Sequence, residues 1–537
     1  MGLFSRKKSA AGMAPPVKPP IQTSNSNASF NSGSSSIKSP ATSFKPSFNR
    51  SSAGSGSPSS PMTAMSPIKI DIPRAPDPNI DPAGYLRSLQ AIRERAKIMT
   101  DKANRNTLTH FDVDMSRFGD VVRFVANIIK RDYDAPYTSI PPHCRYQHFC
   151  VGGRDRPAQM LATFPADVDN SEKCRRLIDL CVVSIVIDGG AGSEWSYKSL
   201  ENNKIYRRND GVAVAALEMF KSGLFSSNPS NRCQVDKQGL KKVTAEALAN
   251  GFQSRPGNEL VGVEGRAELL VKLAAALEHD AVFGHHGRPG QMLDYLLSHP
   301  STQASSKLIV PVPLLWSILM EHLEPIWPQS QSNIHGVLLG DSWPCSSMPQ
   351  PTSSPNGSPT TFSPFPSNTN SPAAWESILP FHKLAQWLCY SMMQPMQSLL
   401  KVHFSGAELL TGLPEYRNGG LFIDLGVLTL KPEDEARGLE NFKNHYDHGS
   451  RRAVEVAPLF LTSDDVVVEW RGVTIGFLDR LWVEVNKYMA KELNGYELSL
   501  SQVMEAGSFK AGREMAEVSR PNTREPPILI DRNGTIF

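Results

Sequence analysis

Two carboxylates (Glu415, Asp424), a guanidinium (Arg417) and a phenol (Tyr416) stand among four glycines in Thr411-Gly-Leu-Pro-Glu-Tyr-Arg-Asn-Gly-Gly-Leu-Phe-Ile-Asp-Leu-Gly426. Charged groups beside an apolar run such as Leu421–Val427 are costly unless they are paired or used. Pro414 disfavours helical geometry at Leu413, and Gly419-Gly420 frees the backbone on the other side. The pattern predicts a short bent segment presenting Glu415, Tyr416 and Arg417. The plain alternative is a surface turn holding a structural Glu415–Arg417 pair.

Three further polar clusters interrupt apolar sequence: Asp341/Trp343, His382/Lys383/Gln386 and Glu469/Arg471. Carboxylates in basic and aromatic company suit sugar or polyol binding and acid–base hydrolysis. They equally suit a buried ion-pair network with no chemistry. There is no Cys or Ser nucleophile with an adjacent His, no Walker loop and no metal-ligand set, so neither cofactor nor metal is expected. His143, Cys144, His148 and Cys150 lie close together, yet their spacings fit no standard zinc pattern. Asp188-Gly-Gly-Ala-Gly192 follows an apolar helix and lacks the G-x-G-x-x-G order, so its glycines read as a helix end rather than a phosphate cradle. Trp195 and Tyr197, just beyond, suit packing or stacking on a planar ligand.

The elements that must position these residues are mostly helical. Leu86, Leu89, Ile92 and Ala96 mark one amphipathic helix, and Phe118, Val121, Val122, Val125 and Ile129 a second. Others are expected over 171–188, over 210–220 with Asp210 as N-cap, over 264–278 and from Lys383 onward. The last long one carries Trp470, Val473, Phe477, Leu481, Val485 and Tyr488 behind a Thr462-Ser-Asp-Asp465 cap. Period-two alternation never persists. Segment 134–168, rich in Pro and aromatics, reads as an ordered loop, and 526–537 as a hairpin turning at Asn533-Gly534. The expectation is a mainly α protein: a Ser/Pro-rich disordered tail over 1–78, then one helical domain over 79–537 with surface insertions at 345–372 and 431–457.

A formal charge of +3 in 537 residues is too balanced to argue for nucleic acid or an anionic membrane. No apolar run approaches the ~20 residues of a membrane span. Seven scattered cysteines without a C-x-x-C pair read as reduced thiols. A cytoplasmic protein is expected, the nucleus being the other compartment open to it.

Asp188-Gly-Gly-Ala-Gly-Ser-Glu-Trp195, Asp210-Gly-Val-Ala-Val, Gly251-Phe-Gln and Val261-Gly-Val-Glu-Gly-Arg266 form one set of motifs with Leu339-Gly-Asp-Ser-Trp343, Pro380-Phe-His-Lys-Leu-Ala-Gln-Trp387, Leu413-Pro-Glu-Tyr-Arg-Asn-Gly-Gly-Leu-Phe422 and Val468-Glu-Trp-Arg471. Through them residues 80–537 resemble the uracil catabolism protein 4 family of fungi and bacteria. That resemblance implies a role in using uracil as a nitrogen source through ribosylurea-type intermediates. A fainter likeness joins Asp210-Gly and Glu218, His382-Lys383 with Gln386, Glu415-Tyr416-Arg417 and Glu469-x-Arg471-Gly472. This order is similar to the queuosine-nucleotide salvage glycosidases, all-helical relatives of DNA glycosylases. There an Asp precedes the Tyr-Arg pair and serves the reacting sugar; here Glu415 takes its place, one methylene longer.

Both likenesses imply cleavage of the C1′–N bond of a ribosylated urea or related nucleoside. In that reading Glu415, Asp341 and Asp424 are the catalytic candidates, Glu415 stabilising the sugar cation or activating water. Asp341, Asp424 or Glu469 binds ribose hydroxyls or supplies the acid. Lys383, Arg417 and Arg471 hold a 5′-phosphate if there is one, and Trp195 or Trp343 covers the planar group. Asp210, His382, Gln386 and Tyr416 complete the substrate-binding set. The rival reading is a non-catalytic partner that holds a metabolite or docks other uracil-pathway enzymes.

Overall fold

The computed structural model describes residues 74–192, 194–304, 307–327, 332–351, 373–446 and 455–531. Most of the expected tail, residues 352–372 of the first insertion and the Asn533-Gly534 turn lie outside them.

The protein is mainly α-helical. The helices that frame the site and the core contacts are α1 (Leu89–Asn104), α2 (Phe118–Asp132), α3 (Asn170–Val186), α4 (Arg208–Ser222), α5 (Val263–Ala276), α6 (Lys383–Leu400), α7 (Tyr416–Asp424), α8 (Pro432–Tyr446), α9 (Asp465–Tyr488) and α10 (Phe509–Ser519). Side-chain caps fix several starts: Ser88 accepts from the Ala91 N–H, Asp169 from Glu172 and Asp464 from Val466. Apolar stripes close over one continuous core, in which α9 packs on α1 and α2, α3 on α6, and α7 on α10. The α1–α9 crossing is close because Gly476 lies against Thr100, where a Cβ would strike the threonine hydroxyl.

Strands among the described residues are short, four residues at most. Ser342–Pro344 pairs antiparallel with Ile378–Pro380, bracketing the first insertion. Leu459–Leu461 pairs in parallel with Leu529–Asp531, Phe460 opposite Ile530. No described helix is long and apolar enough to cross a membrane.

Several local expectations change. The hydrophilic stretch 431–457 contains α8, an acidic-to-basic helix that needs only a narrow apolar seam, Phe442 and Gly438, to dock. Residues 529–531 pair in parallel with the distant strand 459–461, while the expected hairpin turn lies outside the described residues. The insertion begins inside the protein, with Cys345, Ser347 and Met348 buried. Short helices Arg145–Phe149 and Arg156–Ala162 interrupt the 134–168 loop. Helix α4 begins at Arg208, so Asp210 sits in its first turn and is not its cap. The bent segment at 415–417 is the start of α7, which runs on through both glycines. Gly419 keeps helical geometry because it faces the Trp470 indole, whose Nε1 would lie 2.8 Å from a Cβ.

Candidate functional site

A cavity of about 450 Å³ opens where the starts of α6, α7 and α4 meet the Asp188–Gly192 loop and the C-terminal segment 523–531. Helix α6 contributes Lys383, Leu384 and Trp387, α7 contributes Glu415 and Tyr416, and α4 contributes Arg208 and Asn209. His143, His148 and Phe509 close one side, and Glu525, Leu529 and Asp531 another. Volume and lining are those of a small-molecule site, with a few polar groups set in apolar and aromatic walls.

The aromatic side is a box. The His143 ring lies 4.8 Å from Trp387 and 5.0 Å from Phe509, and His148 lies 5.6 Å from Trp387. The two histidines thus meet as packed rings, and His143 Nδ1 bonds Glu505 at 2.6 Å. Asp188 stands beside them. Burial pushes its carboxyl up to about 6 against the pull of Arg145, Arg266 and Lys383. Burial, with Arg145 next to it, drives His148 well below the usual histidine value, so its imidazole is neutral.

Glu415 caps α7. Its Oε1 accepts from the Asn418 N–H at 2.6 Å, fixing the carboxylate at the positive end of that helix on the cavity wall. The Glu415–Arg417 pair does not form. Arg417 instead lies over the Tyr416 ring and donates to the Arg524 carbonyl at 3.0 Å. Arg208, held at φ 54°, donates to the same carbonyl at 2.7 Å and so fastens segment 523–525 beside α7.

Of the residues named in the sequence as catalytic or substrate-binding, Lys383, Glu415 and Tyr416 share this cavity, and the others do not line it. Asp341 is buried and receives the Arg471 guanidinium at 2.7 Å, the Trp343 indole N–H at 2.8 Å and the Lys383 backbone N–H at 3.0 Å. Burial alone would push its carboxyl up, but Arg471 and the two N–H donors hold it well below the usual carboxylate range. His382, at φ 44°, spends Nε2 on the Leu86 carbonyl, and burial lowers it to about 4. Gln386 holds Thr411 through its backbone N–H and its hydroxyl. Together these four polar residues and Trp343 fix the start of α6, and through it Lys383 and Trp387, behind the cavity wall.

The remaining candidates lie apart. Glu469 is fully buried and accepts from the Thr109 and His110 N–H groups, both at 2.8 Å, and from Ser347. Asp424 makes a two-pronged ion pair with Arg520. Trp195 is buried with its N–H on the Phe252 carbonyl, and Asp210 pairs with Arg513 at 3.2 Å. The expected convergence on one pocket is therefore partial, because buried polar groups far apart in the chain found partners of their own.

Sequence reasoning passed over Asp188, His148, Trp387 and Arg208 as site residues. Asp188 and Trp387 stood inside the motifs already quoted, and His148 was weighed only as a metal ligand.

A family described as protein of unknown function (DUF1688) matches residues 85–537. The chain is 38% identical to uracil catabolism protein 4 of Lachancea kluyveri, over 85% of this chain and 99% of the relative. It is 40% identical to protein urg3 of Schizosaccharomyces pombe, over 84% of this chain and 98% of the relative. Matched over that span and to relatives at that level, the chain belongs to the DUF1688 family, the uracil catabolism protein 4 group that its motifs pointed to.

Proposed function

We propose that this chain acts in uracil catabolism, the role named for its Lachancea relative, by hydrolysing the N-glycosidic bond of a ribosylurea-type nucleoside or nucleotide. The observation that carries the chemistry is Glu415, a carboxylate anchored by one oxygen at a helix N-terminus and lining an aromatic-walled cavity. The fainter glycosidase likeness gives the carboxylate at this position a role at the sugar, which agrees with that anchoring.

In the reaction the C1′–N bond breaks and its electron pair leaves on nitrogen. Positive charge develops on the ribose, and water adds to C1′. The proton shed by the water ends on the departing urea, so the products are urea and ribose, or urea and ribose 5-phosphate from a nucleotide. A fixed carboxylate beside C1′ stabilises the developing cation without reorganising at the moment of reaction. Lys383 and Arg208 supply positive charge for a 5′-phosphate, and Trp387 supplies a face for the planar group.

The test incubates the purified protein with N-ribosylurea, uridine and their 5′-phosphates and reads out the freed sugar (ribose or ribose 5-phosphate) and the freed urea or uracil. Release by the wild type, reduced roughly a hundred- to a thousandfold in Glu415→Gln, is expected. No release from any of the four overturns the hydrolase reading and leaves a metabolite-binding partner of the pathway. Release that Glu415→Gln leaves intact overturns the role of Glu415.

A further inference from the structure

Arg145 is fully buried and rigidly held, its Nε donating to Ser184 Oγ at 2.6 Å and its Nη2 to the Ser184 carbonyl at 3.2 Å. Its Nη1 spends two N–H bonds on the cavity wall: one to Asp188 Oδ2 at 2.7 Å, one to His148 Nδ1 at 3.2 Å. An arginine can only donate, so Nδ1 is the accepting nitrogen and the ring proton sits on Nε2. Sharing one nitrogen keeps Oδ2 and Nδ1 within about 6 Å of each other.

The far atom of each group is left over. Asp188 Oδ1 and His148 Nε2 are buried and have no hydrogen-bond partner among the described residues. The two side chains are 10% and 7% exposed respectively, and both residues line the cavity. One guanidinium has thus fixed an acceptor group and a donor group in the same cavity wall, with the His148 ring 5.6 Å from that of Trp387 and 6.0 Å from that of Phe509. Buried polar atoms without partners are expensive, and a pair of opposite sense in a cavity wall is complementary to a ligand carrying the reverse pair.

We infer that Asp188 and His148 form the specificity site for a ureido or imide group, Asp188 Oδ1 accepting the ligand's N–H and His148 Nε2–H donating to its carbonyl oxygen. The group lies against the packed rings of Trp387, Phe509 and His143, and Arg145 is the positioning residue for both contacts. This assignment rests on the proposed substrate cavity and names what the cavity reads. The reacting end of the substrate is then turned toward Glu415.

Calorimetric titration of the full-length protein with uridine, 3-methyluridine, N-ribosylurea and ribose tests it. Methylation removes the imide N–H and leaves the rest of the ring. Uridine and N-ribosylurea are expected to bind at least about tenfold more tightly than 3-methyluridine and ribose, since a missing partner leaves a buried group unpaired. His148→Phe keeps a ring in the box and removes the donor; it should weaken uridine about ten- to a hundredfold and leave ribose unchanged. His148→Gln, which restores an N–H, should recover part of the loss. Equal affinity for uridine and 3-methyluridine, unchanged uridine affinity in His148→Phe, or no binding of uridine and N-ribosylurea overturns the inference. Discrimination between the ligands without hydrolysis upholds it and defeats the hydrolase reading. Hydrolysis indifferent to N-methylation does the reverse.

Discussion

Arg471, from α9, and Asp341, the residue just ahead of the strand before the first insertion, meet at 2.7 Å with both side chains more than nine-tenths buried. The guanidinium also lies 4.0 Å above the Phe381 ring. Their joint effect is to fasten the start of α6, since the same carboxylate takes the Lys383 N–H. Removing one partner strands the other charge in the interior. Asp341→Asn should therefore cost about 3–5 kcal/mol in urea denaturation. A loss below about 1 kcal/mol, the scale of an exposed pair, would mean that water reaches the guanidinium.

His110 bridges α8 and α9, with Nδ1 and Nε2 each 2.8 Å from a carboxylate oxygen, of Asp434 and Asp465. Burial would lower its pKa, but the two hydrogen bonds push it up to about 9. The folded value lies above the unfolded one of about 6.5. The stabilisation is then full below that unfolded value and fades as pH rises through about 9. Melting temperatures of the wild type and His110→Gln should be furthest apart at about pH 6 and converge near pH 10. A gap constant with pH would show that the clamp is not ionic.

Gly476 allows α9 to touch α1 at Thr100. Gly476→Ala should destabilise the protein by about 1–3 kcal/mol, as overpacking does. Adding Thr100→Ala removes the hydroxyl that the new methyl meets, so the double variant should regain part of the loss. Strict additivity in thermal melts would place the strain elsewhere.

The cap function of Glu415 gives a separate expectation. Glu415→Ala removes the acceptor for the Asn418 N–H and should cost about 1 kcal/mol, whatever the chemistry of the site. A stability loss of several kcal/mol would point to a buried ion pair that the geometry does not contain.

The helices with continuous apolar stripes were legible from sequence, since a 3.6-residue period states its own buried face. Helix α8 was not, because its buried side is only Gly438 and Phe442. Helix α7 was hidden by Gly419 and Gly420, which look like breakers until Trp470 and Pro527 are seen pressed against them. In the site, residue type identified Glu415 and Lys383. It also drew attention to Asp341, Arg471 and Glu469, which are bonded internally, Asp341 and Arg471 to each other across 130 residues and Glu469 to Thr109, His110 and Ser347. Asp188 and His148 were overlooked for the opposite reason. Their significance lies in atoms left without partners, and spacing along a chain carries no record of that.

The parallel pairing of Leu459–Leu461 with Leu529–Asp531 has a consequence for biosynthesis. The cavity draws one wall from residues near 143 and another from 523–531, so it spans almost the whole folded chain. Nascent chains fold from the N-terminus as they emerge. A ribosome that has translated as far as α9 has delivered Glu415, Lys383 and Asp188 but not the last wall. The pocket is completed only as that segment leaves the exit tunnel, so stalled or clipped chains would carry the chemical groups without an enclosed place to use them.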